Sequence, residues 1–364
     1  MSKGDFYSRQ IILKDIGDEG QKKIFNSKVL IVGAGGLGNP VASYLAAAGI
    51  GEITILDFDK IEESNLNRQI LFSPNEIGYN KANVLADKIK KQNPYIKISS
   101  LVEKIIPENC EETLKGFDII VDCCDNFSTK FLLHDVCWFL KKNLVQASIY
   151  QYEGQIQVFN YSENINQGCL RCLWPSKPSQ SCTGTCEEAG VVGAVAGTLG
   201  SIQAMEVIKI ILNLGQSSIN TTKTFNLLDF SIQKLKWKQN DQCPLCSKEN
   251  GKKNENLNQI LDDNNRAIEK FELINIDYNM TLVDLREEDE RHENSLIVDS
   301  IHRPYSQFND WKSEINENQD YLFICSKGIR SFNVVEILRE EKITNSYSLH
   351  KGLEGGIQYP PHNL

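Results

Sequence analysis

Along the first part of this chain, short apolar runs that stop at glycine or acid alternate with stretches of helical character. In KVLIVGAGGLG the run Val29 to Val32 ends in glycines, which predicts a buried strand entering a tight turn. Asn39 to Ala48, rich in alanine and followed by Gly49, predicts a helix. ITILDFD, FDIIVDCCDN and LVQASI repeat the short apolar run. Strands alternating with helices predict an α/β architecture, a doubly wound, mostly parallel sheet. Beyond Gly154 the rhythm changes. QIQVFNY alternates like an antiparallel strand, and TFNLLDF with IQKLKW predicts a closing hairpin. Between them, Val195, Leu199, Ile202, Met205, Ile208 and Leu212 recur at helical spacing, with Gly215 as the stop.

The polar stretch SKENGKKNEN starts a linker, and fresh elements follow it: TLVDLRE, LIVDS, YLFICS and a helix from Ser331 to Glu340. The expected division is 1–246, a linker over 247–268, and a second domain over 269–364. Of the 364 residues, 41% are hydrophobic and 24% charged, a composition of soluble globular proteins. No run of about 18 apolar residues predicts a membrane span. The charged start MSKGDFYSRQ has no apolar core behind it, so the cytoplasm is the expected location. A net charge of −9, with lysines scattered in doublets, argues against nucleic acid as a partner.

Gly33-Ala-Gly35-Gly36-Leu-Gly38 follows a strand and opens a helix, so its backbone can approach a phosphate at the helix N-terminus. Asp57 ends the next strand, where an acid can accept ribose hydroxyls. These features suit a nicotinamide-dependent oxidoreductase equally well. Ser64, Asn65 and Arg68 in SNLNRQ, Lys81 in GYNKAN, and Asp125 and Asn126 in VDCCDN also fall beyond strand ends, where a parallel sheet gathers its ligands. Cations there suit a triphosphate, and an aspartate can hold Mg²⁺; hydride transfer needs neither. Taken singly, Arg68 and Lys81 read as solvated surface charges.

In their order, GAGGLG, LDFDKIEESNLNRQ, GYNKA, VDCCDN and the N-terminal YSRQIIL resemble the ubiquitin-activating-enzyme superfamily in its MoeB/ThiF branch, over residues 5 to 246. The resemblance implies that Gly36, Asp57, Ser64, Asn65, Arg68, Lys81, Asp125 and Asn126 bind ATP and Mg²⁺ on a Rossmann-like sheet. It also implies that Arg9 reaches the phosphates from the partner subunit of a homodimer. The implied reaction is adenylation of the C-terminal carboxylate of a ubiquitin-like sulfur-carrier protein, MoaD- or ThiS-like. The carboxylate is its own nucleophile, so the work is positioning and charge neutralisation.

Eleven cysteines are many for a reducing compartment, where metal ligands and reactive thiols outnumber disulfides. Cys169-Leu-Arg-Cys172 and Cys243-Pro-Leu-Cys246 can supply four thiolates to one closed, structural Zn²⁺ site; a metal-free redox pair is the alternative. Cys182 and Cys186 precede the long helix. The resemblance implies that Cys186 can form a covalent link with the carrier; otherwise it is an inert loop cysteine. Cys110, Cys123, Cys124 and Cys137 read as packing residues, and the histidines, His134 and His292 among them, show no metal-ligand spacing.

The loop Cys325-Ser-Lys-Gly-Ile-Arg330-Ser331 follows an apolar strand and precedes a helix, beside Lys327 and Arg330, a setting that favours a thiolate. With TLVDLRE before it and HKGLEGG after it, the loop resembles the rhodanese active site. That resemblance makes the second domain a smaller α/β unit and Cys325 a persulfide carrier, loaded by a sulfur donor such as a cysteine desulfurase. Together the two domains imply thiocarboxylate formation on the carrier, for molybdopterin, thiamin or tRNA thiolation. A non-catalytic sulfur-relay scaffold is the rival; the oxidoreductase leaves SNLNRQ, Lys81 and the second domain without a use.

Overall fold

A computed structural model of the chain describes residues 3–162, 167–175, 190–215, 219–247, 272–273, 280–293, 300–341, 343–349 and 352–353. They form two compact units, divided after Leu261.

The first unit is built on an eight-stranded sheet in the order β3-β2-β1-β4-β5-β6-β7-β8. Its parallel part comprises β1 (Lys28–Val32), β2 (Glu52–Leu56), β3 (Lys97–Leu101), β4 (Ile119–Asp122) and β5 (Asn143–Tyr150). From β5 the sheet continues antiparallel through β6 (Glu153–Asn160), β7 (Thr221–Asn226) and β8 (Ile232–Lys236). β1 is buried on both faces, as its unbroken apolar run requires. Val29 and Ile31 join one core with the Gly38–Ala48, Lys81–Gln92 and Gly193–Leu212 helices. Leu30 and Val32 join the other, with the Pro107–Lys115 and Phe127–Leu140 helices. The order reverses between β1 and β4, and ligands collect at the carboxyl ends there.

The structure departs from the sequence expectations in β3 and in the long helix. β3 carries Lys97, Ser99 and Ser100 at the sheet edge, and so lacks the apolar run that marks its neighbours. The long helix ends at Leu212 with Asn213 in the left-handed region (φ 54°), ahead of Gly215. Within its stripe, Val195, Leu199 and Leu212 are buried but Met205 is 50% exposed. By length and composition this helix could cross a membrane, contrary to expectation; half of its apolar window is buried, against the Gly38–Ala48 helix, β5 and β6.

The second unit has a five-stranded parallel sheet in the order β11-β10-β12-β13-β9. Its strands are β9 (Glu272–Leu273), β10 (Thr281–Asp284), β11 (Ile301–His302), β12 (Tyr321–Ile324) and β13 (Ser346–Leu349). Val283, Phe308, Trp311, Phe323, Val334, Val335 and Leu338 fill one face, and Leu282, Leu322, Ile324 and Leu349 the other. The predicted helix begins two residues early, at Ile329, after Gly328 in the left-handed region (φ 82°). LIVDS up to Asp299 and most of the predicted linker lie outside the described residues.

Candidate active site: a phosphate loop, a thiolate cluster and a buried cysteine

β1 delivers the chain to Gly33 at φ 101°, and a Cβ there would meet the Cys123 carbonyl oxygen at 2.8 Å. A Cβ on Gly38 would sit 2.0 Å from the Gly33 oxygen, so both positions exclude side chains. The loop is braced from inside. Fully buried Asn39 donates to the carbonyls of Ala34 (2.8 Å) and Gly35 (3.1 Å) and accepts from the Leu71 N–H. Asp57 accepts the N–H of Ala34 (2.7 Å) and that of Asp59 (2.8 Å), tying the end of β2 to the loop. Burial pushes the Asp57 carboxyl above its ordinary value, against the pull of those hydrogen bonds.

The neighbouring segments close around this loop. A Cβ on Gly36 would lie 3.0 Å from Ala196 and 3.7 Å from the Arg68 side chain. The N-terminal turn of the Gly193–Leu212 helix packs against Asn67 and Arg68, where a Cβ on Gly193 would meet the Asn67 carbonyl at 2.5 Å. Arg68 donates to the Ser64 carbonyl (2.8 Å) and to Asn67 (3.2 Å). Ser64 is exposed, whereas buried Asn65 caps its own short helical turn by accepting the Glu62 N–H. Lys81 is not a solvated surface charge. It is 7% exposed, and its Nζ lies 3.1 Å from Asp59, two residues beyond Asp57.

At the end of β4, Asp125 is exposed and Asn126 caps the Phe127–Leu140 helix by accepting the Thr129 N–H. Beneath them Asp122 is fully buried. It accepts from Lys130 (3.2 Å), Gln146 (2.9 Å) and the Cys124 N–H (2.9 Å). Gln203 donates to the Asp122 carbonyl (2.9 Å) and stands 3.7 Å from the Cys123 thiol. Cys110, Cys123 and Cys137 are buried packing residues whose thiols burial holds far above the ordinary range.

Arg9 is exposed and does not join the crevice of its own chain. Its segment docks at the far end of the Gly38–Ala48 helix. Gln10 donates to the Ala48 carbonyl (2.9 Å), and the Tyr7 ring lies where a Gly49 Cβ would clash. That helix places the two ends about 16 Å apart.

Cys169, Cys172, Cys243 and Cys246 bring their sulfurs within 4.8 Å of one another. Individual Sγ separations are 3.8 Å (Cys169–Cys172), 3.4 Å (Cys169–Cys243) and 3.3 Å (Cys172–Cys246). Four thiolates at zinc–sulfur bond length around a tetrahedral centre stand about 3.8 Å apart, so a zinc-sized ion fits with small adjustment. The cluster joins the start of the Leu170–Leu173 turn to the chain after β8. Cys182 and Cys186 lie outside the described residues.

In the second unit Cys325 follows β12 directly and is 1% exposed. Its Sγ lies 3.4 Å from the Ser331 N–H nitrogen and 3.4 Å from the Ser331 hydroxyl, which accepts from Ser348 (2.8 Å). Arg330 does not stand free beside the thiol: it makes a two-pronged ion pair with Glu290 (2.6 and 2.5 Å), which also accepts from Ser326 (3.2 Å). Lys327 is exposed. Gly352 closes the loop, since a Cβ there would lie 2.2 Å from the Cys325 carbonyl oxygen.

Sequence reading singled out neither Asn39, Asp59, Asp122, Lys130 and Gln203 in the crevice nor Glu290 in the loop. Asp59 was within reach, since it stands in LDFDK beside Asp57. The others were harder to find, because each has at least one partner distant in sequence: Leu71 for Asn39, Gln146 for Asp122, Ala147 for Lys130, the Asp122 carbonyl for Gln203 and Arg330 for Glu290.

Comparison with known proteins agrees with this geometry. Residues 7–245 match the ThiF family and residues 267–358 the rhodanese-like domain. A sulfur carrier protein adenylyltransferase of Thermus thermophilus is 37% identical over 67% of this chain and 91% of its own length. An adenylyltransferase and sulfurtransferase MOCS3 of Culex quinquefasciatus is 35% identical over 91% of this chain and 70% of its own. The chain spans less than two thirds of several other MOCS3 relatives. Among solved structures, Escherichia coli MccB with ATP is similar, at 26% identity and a TM-score of 0.59, over 67% of this chain and 75% of that one. This chain therefore belongs to the ThiF family and carries a C-terminal rhodanese-like domain.

Proposed function

We propose that this chain uses ATP to adenylate the C-terminal glycine carboxylate of a ubiquitin-like sulfur-carrier protein, MoaD- or ThiS-like, and then delivers sulfur to it from a persulfide on Cys325. The observation that carries this reading is the pair of cations, Arg68 and Asp59-bound Lys81, beside the glycine loop. Hydride transfer has no use for them; phosphoryl chemistry does. A carboxylate oxygen of the carrier attacks the α-phosphorus, the bond to the β-phosphate breaks, and pyrophosphate leaves. Arg68 and Lys81 neutralise the phosphates, the Gly33–Gly38 backbone cradles them, and Asp57, Ser64, Asn65 and Asn126 line the nucleotide. Exposed Asp125 would hold Mg²⁺, which screens phosphate charge. Arg9 serves the crevice of a partner subunit in a homodimer, in keeping with its docking at the far end of its own.

The terminal sulfur of the Cys325 persulfide then attacks the acyl carbon and AMP departs, leaving an acyl disulfide. A Cys186 thiolate attacks the Cys325 sulfur, releases the carrier thiocarboxylate and leaves a Cys186–Cys325 disulfide. An external dithiol reduces the Cys186–Cys325 disulfide and is itself oxidised to a disulfide; a sulfur donor such as a cysteine desulfurase then reloads the freed Cys325 thiolate. Zn²⁺ on the four cysteines is structural, because a closed thiolate site keeps no open position. We assign adenylation to residues 1–246 and the persulfide step to residues 269–364, joined by a linker over 247–268, in the cytoplasm. ATP–pyrophosphate exchange with purified carriers tests the reading. Exchange that depends on the carrier's terminal carboxylate is expected; none with either carrier class would leave a sulfur-relay scaffold.

A further inference from the structure

The thiolate cluster joins two pairs, Cys169 with Cys172 and Cys243 with Cys246. Around the first pair lies a buried polar network. The Leu170 N–H, between Cys169 and Cys172, donates to His134 Nε2 (2.8 Å), and the Tyr161 hydroxyl reaches the same nitrogen (2.7 Å). An N–H pointing at Nε2 makes that atom the acceptor and leaves the ring proton on Nδ1, which donates to Asp135 (2.8 Å). Burial keeps this imidazole neutral by pulling its pKa below the ordinary value. Asp135 is in turn gripped by Arg171, the residue before Cys172, with the guanidinium 2.7 Å from Oδ2. That guanidinium also lies over the Phe131 ring at 4.7 Å. Burial alone would push Asp135 up, but the His134 hydrogen bond and the Arg171 charge bring it below its ordinary value. Two further links run to sulfur from the segment before the second pair: the Asn240 N–H donates to Cys172 Sγ of the first pair (3.3 Å) and Gln239 to Cys246 Sγ of the second (3.6 Å).

We propose that Asp135, clamped between His134 and Arg171, is a positioning residue that folds the Cys169–Cys172 turn without metal, so that half of the cluster is already built when the ion arrives. The clamp grips the turn at Leu170 and Arg171 and touches no sulfur, so it survives removal of the ion. Its helix belongs to the core of the first unit, which gives the turn a rigid base. The proposal rests on the zinc reading only for its consequence. A half-formed site loses less chain entropy on binding and holds the ion longer.

The test uses the full chain after chelator stripping. Hydrogen exchange is expected to find the Leu170 amide protected in the metal-free protein. In Asp135→Asn and Arg171→Met it should exchange at least about tenfold faster, the size of one lost charge-assisted hydrogen bond. After reloading, both variants should release zinc to a chromophoric chelator about tenfold or more faster than the parent chain. A Leu170 amide that exchanges freely in the stripped parent, or variants that match it in both measurements, overturns the proposal. If the parent takes up no zinc, the zinc reading fails separately and the exchange measurement alone decides. Arg171→Met guards against misfolding of the more buried Asp135 variant, since the Arg171 side chain is 17% exposed.

Discussion

In the crevice, Gly36, Arg68 with Lys81, and Asp125 come from three connections of one sheet, whereas around Cys325 the groups from Ser326 to Ser331 come from a single stretch of chain. The crevice is accordingly shaped from beneath, by Asn39 under the glycine loop and by Asp122 with Lys130 under the end of β4. The Cys325 loop is shaped mostly by itself, with one outside carboxylate, Glu290, gripping residues 326 and 330. A site assembled from distant segments depends on buried scaffolding. A contiguous one depends on its own backbone and a few outside contacts, of which Glu290 is the charged latch. The two should therefore fail independently and by different amounts.

The largest expected effect is Cys325→Ala, which removes all carrier thiocarboxylate, read by mass spectrometry, while pyrophosphate exchange stays at the parent rate. A parallel loss of exchange would break the comparison. Next, Lys81→Met should lower carrier-dependent exchange by about 10²–10³-fold, since one charge-stabilising group is lost at the phosphates. Cys325-dependent sulfur transfer from thiosulfate to cyanide should be unchanged in the same variant.

Lys130→Met strands the Asp122 carboxylate, whose partner is itself only 9% exposed. Breaking a buried pair from one side costs about 3–5 kcal/mol. A urea titration of the first unit should show it, and an unmoved midpoint would deny the scaffold its weight. The smallest effect belongs to Glu290→Gln. Arg330 holds the Glu290 carboxyl at about 2 instead of the ordinary 4.5. A depressed carboxyl stabilises the fold above its unfolded value and loses that contribution as pH falls through the folded one. Parent and variant should thus differ modestly in stability above about pH 4.5, and the gap should close on acidification towards 2. A gap that persists at the acid end would show that the latch is not electrostatic.

Much of this was legible in the sequence. Val29 to Val32, the glycines after it and the helix closed by Gly49 announced the first β-strand, turn and helix, because each is written in adjacent residues. The clustered cysteines were legible as two spaced pairs, but their meeting required the hairpin of β7 and β8 to return the second pair to the first. β3 escaped because an edge strand with one solvated face needs no apolar run. Lys81 was legible as a phosphate-site candidate, but its burial and its pairing with Asp59 were not, because a lone lysine gives no sign of either.

By itself the sequence determined the α/β rhythm, the order of the two units, the phosphate-type loop, the spaced cysteine pairs and Cys325 at a strand end. These are properties of local spacing, and periodicity reports which face of an element is buried. Only the tertiary structure decided which charges meet: Lys81 with Asp59, Lys130 with Asp122, Arg171 with Asp135, Arg330 with Glu290. A charge taken from water must find a partner wherever packing brings one within reach. That partner is set by the three-dimensional crossing of elements, which no single stretch of chain encodes.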